Sequence, residues 1–218
     1  MNRMNKLRSN IRSSSSRTSL GGTLSHYRKK QIIYSQGVPA DTLFHIQEGG
    51  VCLIARSKYQ SSAVTAILGA GDFFGESCLV GFPHRTSTAV ALASSSIRVI
   101  KKESMIRMLC RKKKLSNSFL FYLLSSMKRY RDHVAELLTL SAEQRLACVL
   151  LRLAHLDKWG SPMEGVITVN QQVLAEMVGT TRSRLNLFMN RFRKRGFVNY
   201  TSGRIEVHNS LQEVLRRP

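Results

Sequence analysis

Between Ser116 and Leu140 the chain reads SNSFLFYLLSSMKRYRDHVAELLTL, 25 residues without a proline or a glycine. Phe119, Leu123, Met127, Tyr130, Val134, Leu137 and Leu138 recur within it at steps of three and four, which predicts one apolar stripe along a long helix. A helix of this length separates the N-terminal part of the chain from the C-terminal part, and it offers a stripe along which two copies of the chain pair. It sets the expected boundaries: an arm over 1–26, a β-rich domain over 27–115, the long helix over 116–140, and a second domain over 141–218.

The segment before the helix has a different period. QIIY, TLFHIQ, VCLIAR, AVTAIL, STAVALA and SIRVI are short β-type runs, separated by GVPAD, EGG, SKYQSS, GAGD and GFPH. Many short strands with Gly/Pro turns predict a β-sandwich or a barrel-like roll. ESMIRMLCRKKK reads as a short helix leading into the long one. The whole is an α+β chain.

After the helix, Ser141 and Gln144 have the spacing of a capping box ahead of RLACVLLRLAHL, so a new helix starts there and 139–141 is a candidate hinge. QQVLAEMVGTTRSRLNLFMNRF then has the layout of a helix-turn-helix. Val173, Leu174 and Met177 give the first helix an apolar side, Gly179 supplies the turn, and Thr181 caps the second helix. There Leu185, Phe188, Met189 and Phe192 share one face, leaving Ser183, Leu187, Asn190 and Lys194 opposite, flanked by Arg182 and Asn186. Asn170, Gln171, Thr181, Arg182, Ser183, Asn186 and Asn190 are the candidate DNA contacts, being mostly residue types that reach base edges and phosphates from a helix in the major groove. VNYTSGRIEVH reads as a two-stranded wing turning at 201–203.

Charge agrees with a polyanionic partner. The chain holds 34 basic and 13 acidic residues, a formal +21, with a pI near 10.7. An excess of that size attracts phosphates before any specific contact forms. The arm is rich in Arg and Ser and free of acids, the composition of a disordered segment. Four dispersed cysteines without metal-ligand spacing suit a reduced, cytoplasmic setting and predict neither disulfide nor metal. No apolar run is long enough for a membrane span. No arrangement of catalytic groups suggests an enzyme.

One stretch of the β-region stands apart. GDFFGESCLVGFPHRTSTAV, residues 71–90, places the lone carboxylate Glu76 nine residues before Arg85 in an otherwise small and apolar run. Spacing alone leaves open an internal ion pair, two solvated loop charges, or a functional site.

LAEMVGTTRSRLNLFMNRFRKRGFV, together with LSAEQRLACVLLRLA and SQGVPADTLFHIQEGGV, resembles the cyclic AMP receptor protein and fumarate-nitrate regulator (Crp/Fnr) family of bacterial transcription regulators over roughly residues 27–215. The resemblance implies a cyclic-nucleotide-binding β-roll, a dimerisation helix and a winged helix-turn-helix acting as a homodimer on double-stranded DNA. It also implies that FGE and the following arginine form a phosphate-binding cassette. Glu76 would then take the ribose hydroxyl and Arg85 the cyclic phosphate, with backbone contacts from Gly75 and Ser77 and a hydroxyl from Thr86. Cyclic AMP is the expected effector, with cyclic GMP or no ligand left open. A regulator with an empty scaffold roll, or a cyclic-nucleotide-responsive subunit of an enzyme, are the alternatives.

The resemblance has gaps. Tyr130 and Arg131 stand where the cyclic AMP receptor presents a hydroxyl pair to the purine. Ser183 replaces an acid that reads cytosine, and Leu187 replaces a base-contacting arginine, so the usual half-site is not expected in full. The first cysteine, Cys52, lies in a predicted strand, against an N-terminal iron-sulfur cluster; His45 and His84 read as strand and loop residues rather than haem ligands. The loop DKWGSPMEG, with Trp159, lies where family members touch RNA polymerase.

Overall fold

The computed structural model describes residues 21–57, 62–157, 165–167, 171–201 and 204–216. The chain divides into two units, Met1–Arg56 with Ala66–Arg129, and Ser57–Thr65 with Tyr130–Pro218.

The first unit contains strands β1 (Thr23–Tyr27), β2 (Ile32–Tyr34), β3 (Thr42–Glu48), β4 (Gly50–Arg56), β6 (Phe73–Phe74), β7 (Thr88–Ala91) and β8 (Ser95–Lys101), with β5 (Ser62–Gly69) running into it. They form two four-stranded sheets, ordered β1-β8-β3-β6 and β2-β7-β4-β5. Every expected strand is present. Residues 23–26, expected in the basic arm, instead begin β1, which pairs antiparallel with β8 from Thr23 opposite Val99 to Tyr27 opposite Ser95. The rest of the expected arm, residues 1–20, lies outside the described residues.

Period-two alternation sends the side chains of β3 and β6 to opposite faces. Phe44, Ile46 and Phe74 point between the sheets, where they meet Val51, Leu68, Ala89 and Ile97. Leu43 and Phe73 point the other way, into a second core completed by Ile100, Met105, Phe119 and Tyr122. Met105 comes from α1 (Lys102–Arg111); Phe119 and Tyr122 come from α2 (Lys113–Thr139). The Tyr122 hydroxyl accepts from the Phe73 N–H at 2.9 Å and donates to the Phe73 carbonyl at 2.8 Å. Arg129 adds an ion pair to the buried Asp72 at 3.1 Å.

The single stripe expected on the long helix is two faces. Phe119, Tyr122 and Ser126 are buried on the roll, and Leu123 packs beside them. Leu120, Leu124, Met127, Val134 and Leu138 are exposed, from 53% to 81%. A stripe drawn from Phe119 to Leu138 straddled both, because side chains a quarter-turn apart satisfy the same three-and-four spacing.

His45 is 3% exposed, stacked on Phe73 with ring centroids 4.2 Å apart. Its Nδ1 meets the Gln47 amide at 2.6 Å, and its Nε2 has no hydrogen-bond partner among the described residues. Burial, with help from the Arg98 charge, lowers its pKa to about 4. The unfolded chain therefore takes up a proton between pH 6.5 and 4 while the folded chain does not, and stability falls as pH drops through that window. The expected contribution is roughly 3 kcal/mol by pH 4. His45→Gln is expected to flatten the acid side of the stability profile in urea titrations from pH 7 to 4.5; a variant as steep as wild type would rule this out.

The second unit holds α3 (Ala142–Asp157), β9 (Gly165–Ile167), α4 (Gln171–Val178), α5 (Arg182–Lys194), β10 (Val198–Thr201), β11 (Arg204–Val207) and a closing 3-10 segment, Asn209–Arg216. The capping box is formed: Ser141 N donates to Gln144 Oε1 at 3.0 Å and Gln144 N to Ser141 Oγ at 3.3 Å. Leu146, Leu150, Leu174, Leu185, Phe192 and Ile205 are fully buried.

Candidate functional site

The cassette is built around glycines with left-handed backbone. Gly75, at φ 75°, leads from β6 into a 3-10 turn over Glu76–Val80, which Gly81 closes at φ 92°. A Cβ on Gly75 would sit 2.6 Å from the Arg85 Nη1, so only glycine lets the guanidinium approach. The return segment is tied to the GVPA turn: Arg85 N donates to Val38 O at 2.8 Å, Gly37 N to Arg85 O at 2.9 Å, and Ala40 N to Pro83 O at 2.8 Å.

Arg85 is 4% exposed. Nη1 donates to the Gly75 carbonyl at 3.2 Å and Nη2 to Thr42 Oγ1 at 2.8 Å. Its guanidinium carbon lies 4.5 Å from the centre of the Tyr34 ring and 5.3 Å from that of Phe44. Nε is buried without a hydrogen-bond partner among the described residues. Among the described residues no carboxylate lies within 4 Å of this guanidinium, so the reading of Glu76 and Arg85 as a closed ion pair is not what the structure holds. Glu76 is half-buried, and burial raises its carboxyl pKa against the opposing pull of a backbone hydrogen bond and of the Arg85 charge. A buried cation held by neutral oxygens and aromatic faces is a site with an unmet demand for an anion.

Ser77 is half-buried in the 3-10 turn and Thr86 is exposed. Cys78 is buried and donates weakly to the Thr42 carbonyl, at 3.5 Å. Thr42, Tyr34 and Phe44, which frame Arg85, were not expected: they come from other strands, and nothing local marks them. Tyr130 and Arg131 lie past Arg129 on α2, in the second unit, and are exposed.

That unit presents the second surface. Gly179, at φ 67°, makes the turn after α4, and Thr180 N donates back to Ala175 O at 3.0 Å. The Thr181 hydroxyl accepts from Arg184 N at 3.3 Å, capping α5 as expected. Leu185, Phe188, Met189 and Phe192 are buried, while Arg182, Ser183, Leu187, Asn190 and Lys194 are exposed, with Asn186 and Gln171 half-buried. Arg145 fixes the motif to α3, donating from Nε to Val178 O at 2.9 Å and from Nη1 to Leu140 O at 2.8 Å. Arg191 is engaged by Glu143 at 3.1 Å. The wing pairs antiparallel from Val198 opposite Val207 to Thr201 opposite Arg204. β9, absent from the expected elements, adds a third strand beside β11. Asn170, Trp159 and the wing residues Ser202 and Gly203 lie outside the described residues.

Thr181→Ala is expected to cost about 1 kcal/mol through loss of the cap. Chemical denaturation followed by helix signal measures it, and an unchanged midpoint would show that the cap bond carries nothing.

Among the described residues no group of His, Cys, Asp and Glu is placed to hold a metal ion, and no helix is long and apolar enough to cross a membrane. None of the four cysteines is joined in a disulfide.

Residues 24–112 match the cyclic nucleotide-binding domain family, and residues 144–211 match the Crp-like helix-turn-helix domain family. A CRP-like cAMP-activated global transcriptional regulator of Mycobacterium tuberculosis is 24% identical over 182 residues, covering 82% of this chain and 80% of that protein. The cyclic AMP receptor protein of Thermus thermophilus is 25% identical over 191 residues, covering 86% of each. Among solved structures, TTHA1359, a CRP/FNR family transcriptional regulator from Thermus thermophilus, superposes with a TM-score of 0.75 at 20% identity, over 89% of this chain and 99% of that one.

Proposed function

Because the chain belongs to the Crp/Fnr family of transcription regulators, we propose that it is a homodimeric, sequence-specific DNA-binding regulator whose DNA affinity is set by a cyclic nucleotide, cyclic AMP first, held at Arg85. The carrying observation is the buried Arg85 guanidinium without a contacting carboxylate. A cyclic phosphate carries the single negative charge that this guanidinium lacks, and a fork of N–H donors holds it in two parallel hydrogen bonds. Glu76 accepts from the ribose hydroxyl, with Gly75 and Ser77 offering backbone contacts and Thr86 its hydroxyl. Tyr130 and Arg131 are the proposed base contacts.

In the DNA-binding unit, α5 lies in the major groove with Arg182, Ser183, Asn186 and Asn190 toward base edges, and Gln171 and Thr181 toward the backbone; Asn170 is a further proposed DNA contact. The exposed apolar series Leu120, Leu124, Met127, Val134 and Leu138, spaced as a coiled-coil seam, supports pairing of two copies along α2. Two recognition helices then address half-sites roughly 34 Å apart. The ligand acts by binding the DNA-competent arrangement more tightly than the other. Contact of the loop bearing Trp159 with RNA polymerase is part of the same reading.

One observation favours a scaffold roll with constitutive DNA binding: Nη1 and Nη2 of Arg85 already have partners. Fluorescence anisotropy on a DNA site selected from a random pool separates the two. A cyclic AMP-dependent gain of tenfold or more in affinity, about 1.4 kcal/mol, supports gating. Equal affinity with and without cyclic AMP and cyclic GMP would leave the constitutive reading, and absence of any site preference would sink both.

A further inference from the structure

The first unit carries a basic surface of its own, away from the helix-turn-helix sequence. α1 ends at Arg111 and α2 begins at Lys113, so one residue, Lys112, makes the elbow between them. Arg111, Lys112, Lys113 and Lys114 are consecutive and all exposed, with Arg107 one turn earlier; Glu103 is the only acid between residues 101 and 114. None of the four has a hydrogen-bonding or ionic side-chain partner among the described residues.

The elbow is fixed rather than loose. Lys112 N donates to Met108 O at 3.0 Å, and the Lys112 carbonyl accepts from Leu115 N at 2.8 Å and Ser116 N at 3.0 Å. The Ser116 hydroxyl reaches both the Leu109 and the Lys112 carbonyls. Met105 on one side and Phe119 on the other are buried in the same core. Local stability accounts for Arg111, in the last turn of α1 where a cation suits the helix dipole, but not for the lysines that follow it. Lys113 and Lys114 stand in the first turn of α2, which has no acid, where cations oppose the helix dipole. Four adjacent like charges also repel one another.

We propose that this elbow is a second phosphate-contacting surface, which binds the DNA backbone without regard to sequence. The choice of DNA as the polyanion rests on the regulator reading above. Each phosphate neutralised by one of these side chains releases a condensed counterion, so the elbow writes itself into the salt dependence of binding and leaves base preference alone. Its fixed backbone lowers the ordering cost of each contact.

The test is the slope of log affinity against log salt for the full chain on random-sequence double-stranded DNA. It compares wild type with a variant carrying Arg111→Gln, Lys112→Gln, Lys113→Gln and Lys114→Gln, and with Lys112→Arg/Lys113→Arg/Lys114→Arg, which keeps the charge. The glutamine variant is expected to lose about 0.9 of slope per contact, roughly 2–4 in all, with its preference among selected sites unchanged, while the arginine variant keeps the wild-type slope. An unchanged slope in a folded glutamine variant overturns the proposal. If that variant then fails only in transcription with purified RNA polymerase, the elbow is a face for an acidic protein. Wild type that does not bind duplex at all defeats the regulator reading, a result distinct from a slope that does not change.

Discussion

Replacing Arg85 by leucine is expected to raise the dissociation constant for cyclic AMP by about 10²–10³, or to abolish measurable binding. Truncating one partner of a buried, hydrogen-bonded charge pair costs about 3–4 kcal/mol. The surroundings of the side chain give the reason: Arg85 is 4% exposed, and the rings of Tyr34 and Phe44 lie against its guanidinium. Leucine fills most of the volume, so the fold should survive, with the Thr42 hydroxyl and the Gly75 carbonyl losing a donor. Arg85→Lys should fall between, because an ammonium supplies the charge without the fork. Isothermal titration of cyclic AMP and cyclic GMP into the three proteins, with folding checked by circular dichroism, decides it. Undiminished binding in Arg85→Leu would place the anion elsewhere and reduce the buried guanidinium to scaffold.

Phe192→Ala should be the most damaging substitution in the DNA-binding unit, at about 3–5 kcal/mol. Phe192 is fully buried, its ring meets that of Phe197 edge-on with centroids 6.3 Å apart, and its carbonyl accepts from Phe197 N at 2.9 Å. The side chain therefore holds the end of α5 against the start of the wing. A loss of that size is a large fraction of a domain's usual stability of about 5–15 kcal/mol. The expected readout is an early unfolding transition and loss of DNA retention, with cyclic nucleotide binding kept by the roll. A shift below about 1 kcal/mol would mean that the site collapses around the missing ring, the outcome open to a cavity that relaxes.

Local chemistry was the legible part. The capping box at Ser141 and Gln144, the Thr181 cap, the Gly179 turn and the buried face of α5 each depend on residues within a few positions of one another, and each formed as expected. The strands between Gly/Pro turns were equally readable. β1 was not, since TLSHY comes after a serine-rich tail and has little apolar alternation; it is held by pairing with β8, more than sixty residues away. β6 has only two residues, below what a pattern can register. In the cassette, the glycines, Glu76 and Arg85 were visible as a motif. Their environment was not, because the oxygen that holds Arg85 Nη2 belongs to Thr42, 43 positions earlier in the chain. The same long range hid which side of α2 the roll would take.

Tyr122 takes on another meaning when the strand order is considered. Among the described residues β6 is the last strand of its sheet, paired with β3 on one side only. The outward N–H and carbonyl of such a strand are a template on which another chain can add itself. Here both groups of Phe73 are taken by one phenol, which accepts from the first and donates to the second. A side chain of the long helix thus stands in for the missing neighbouring strand. It closes an edge only two residues long, and it does so immediately before Gly75, whose carbonyl holds the Arg85 guanidinium.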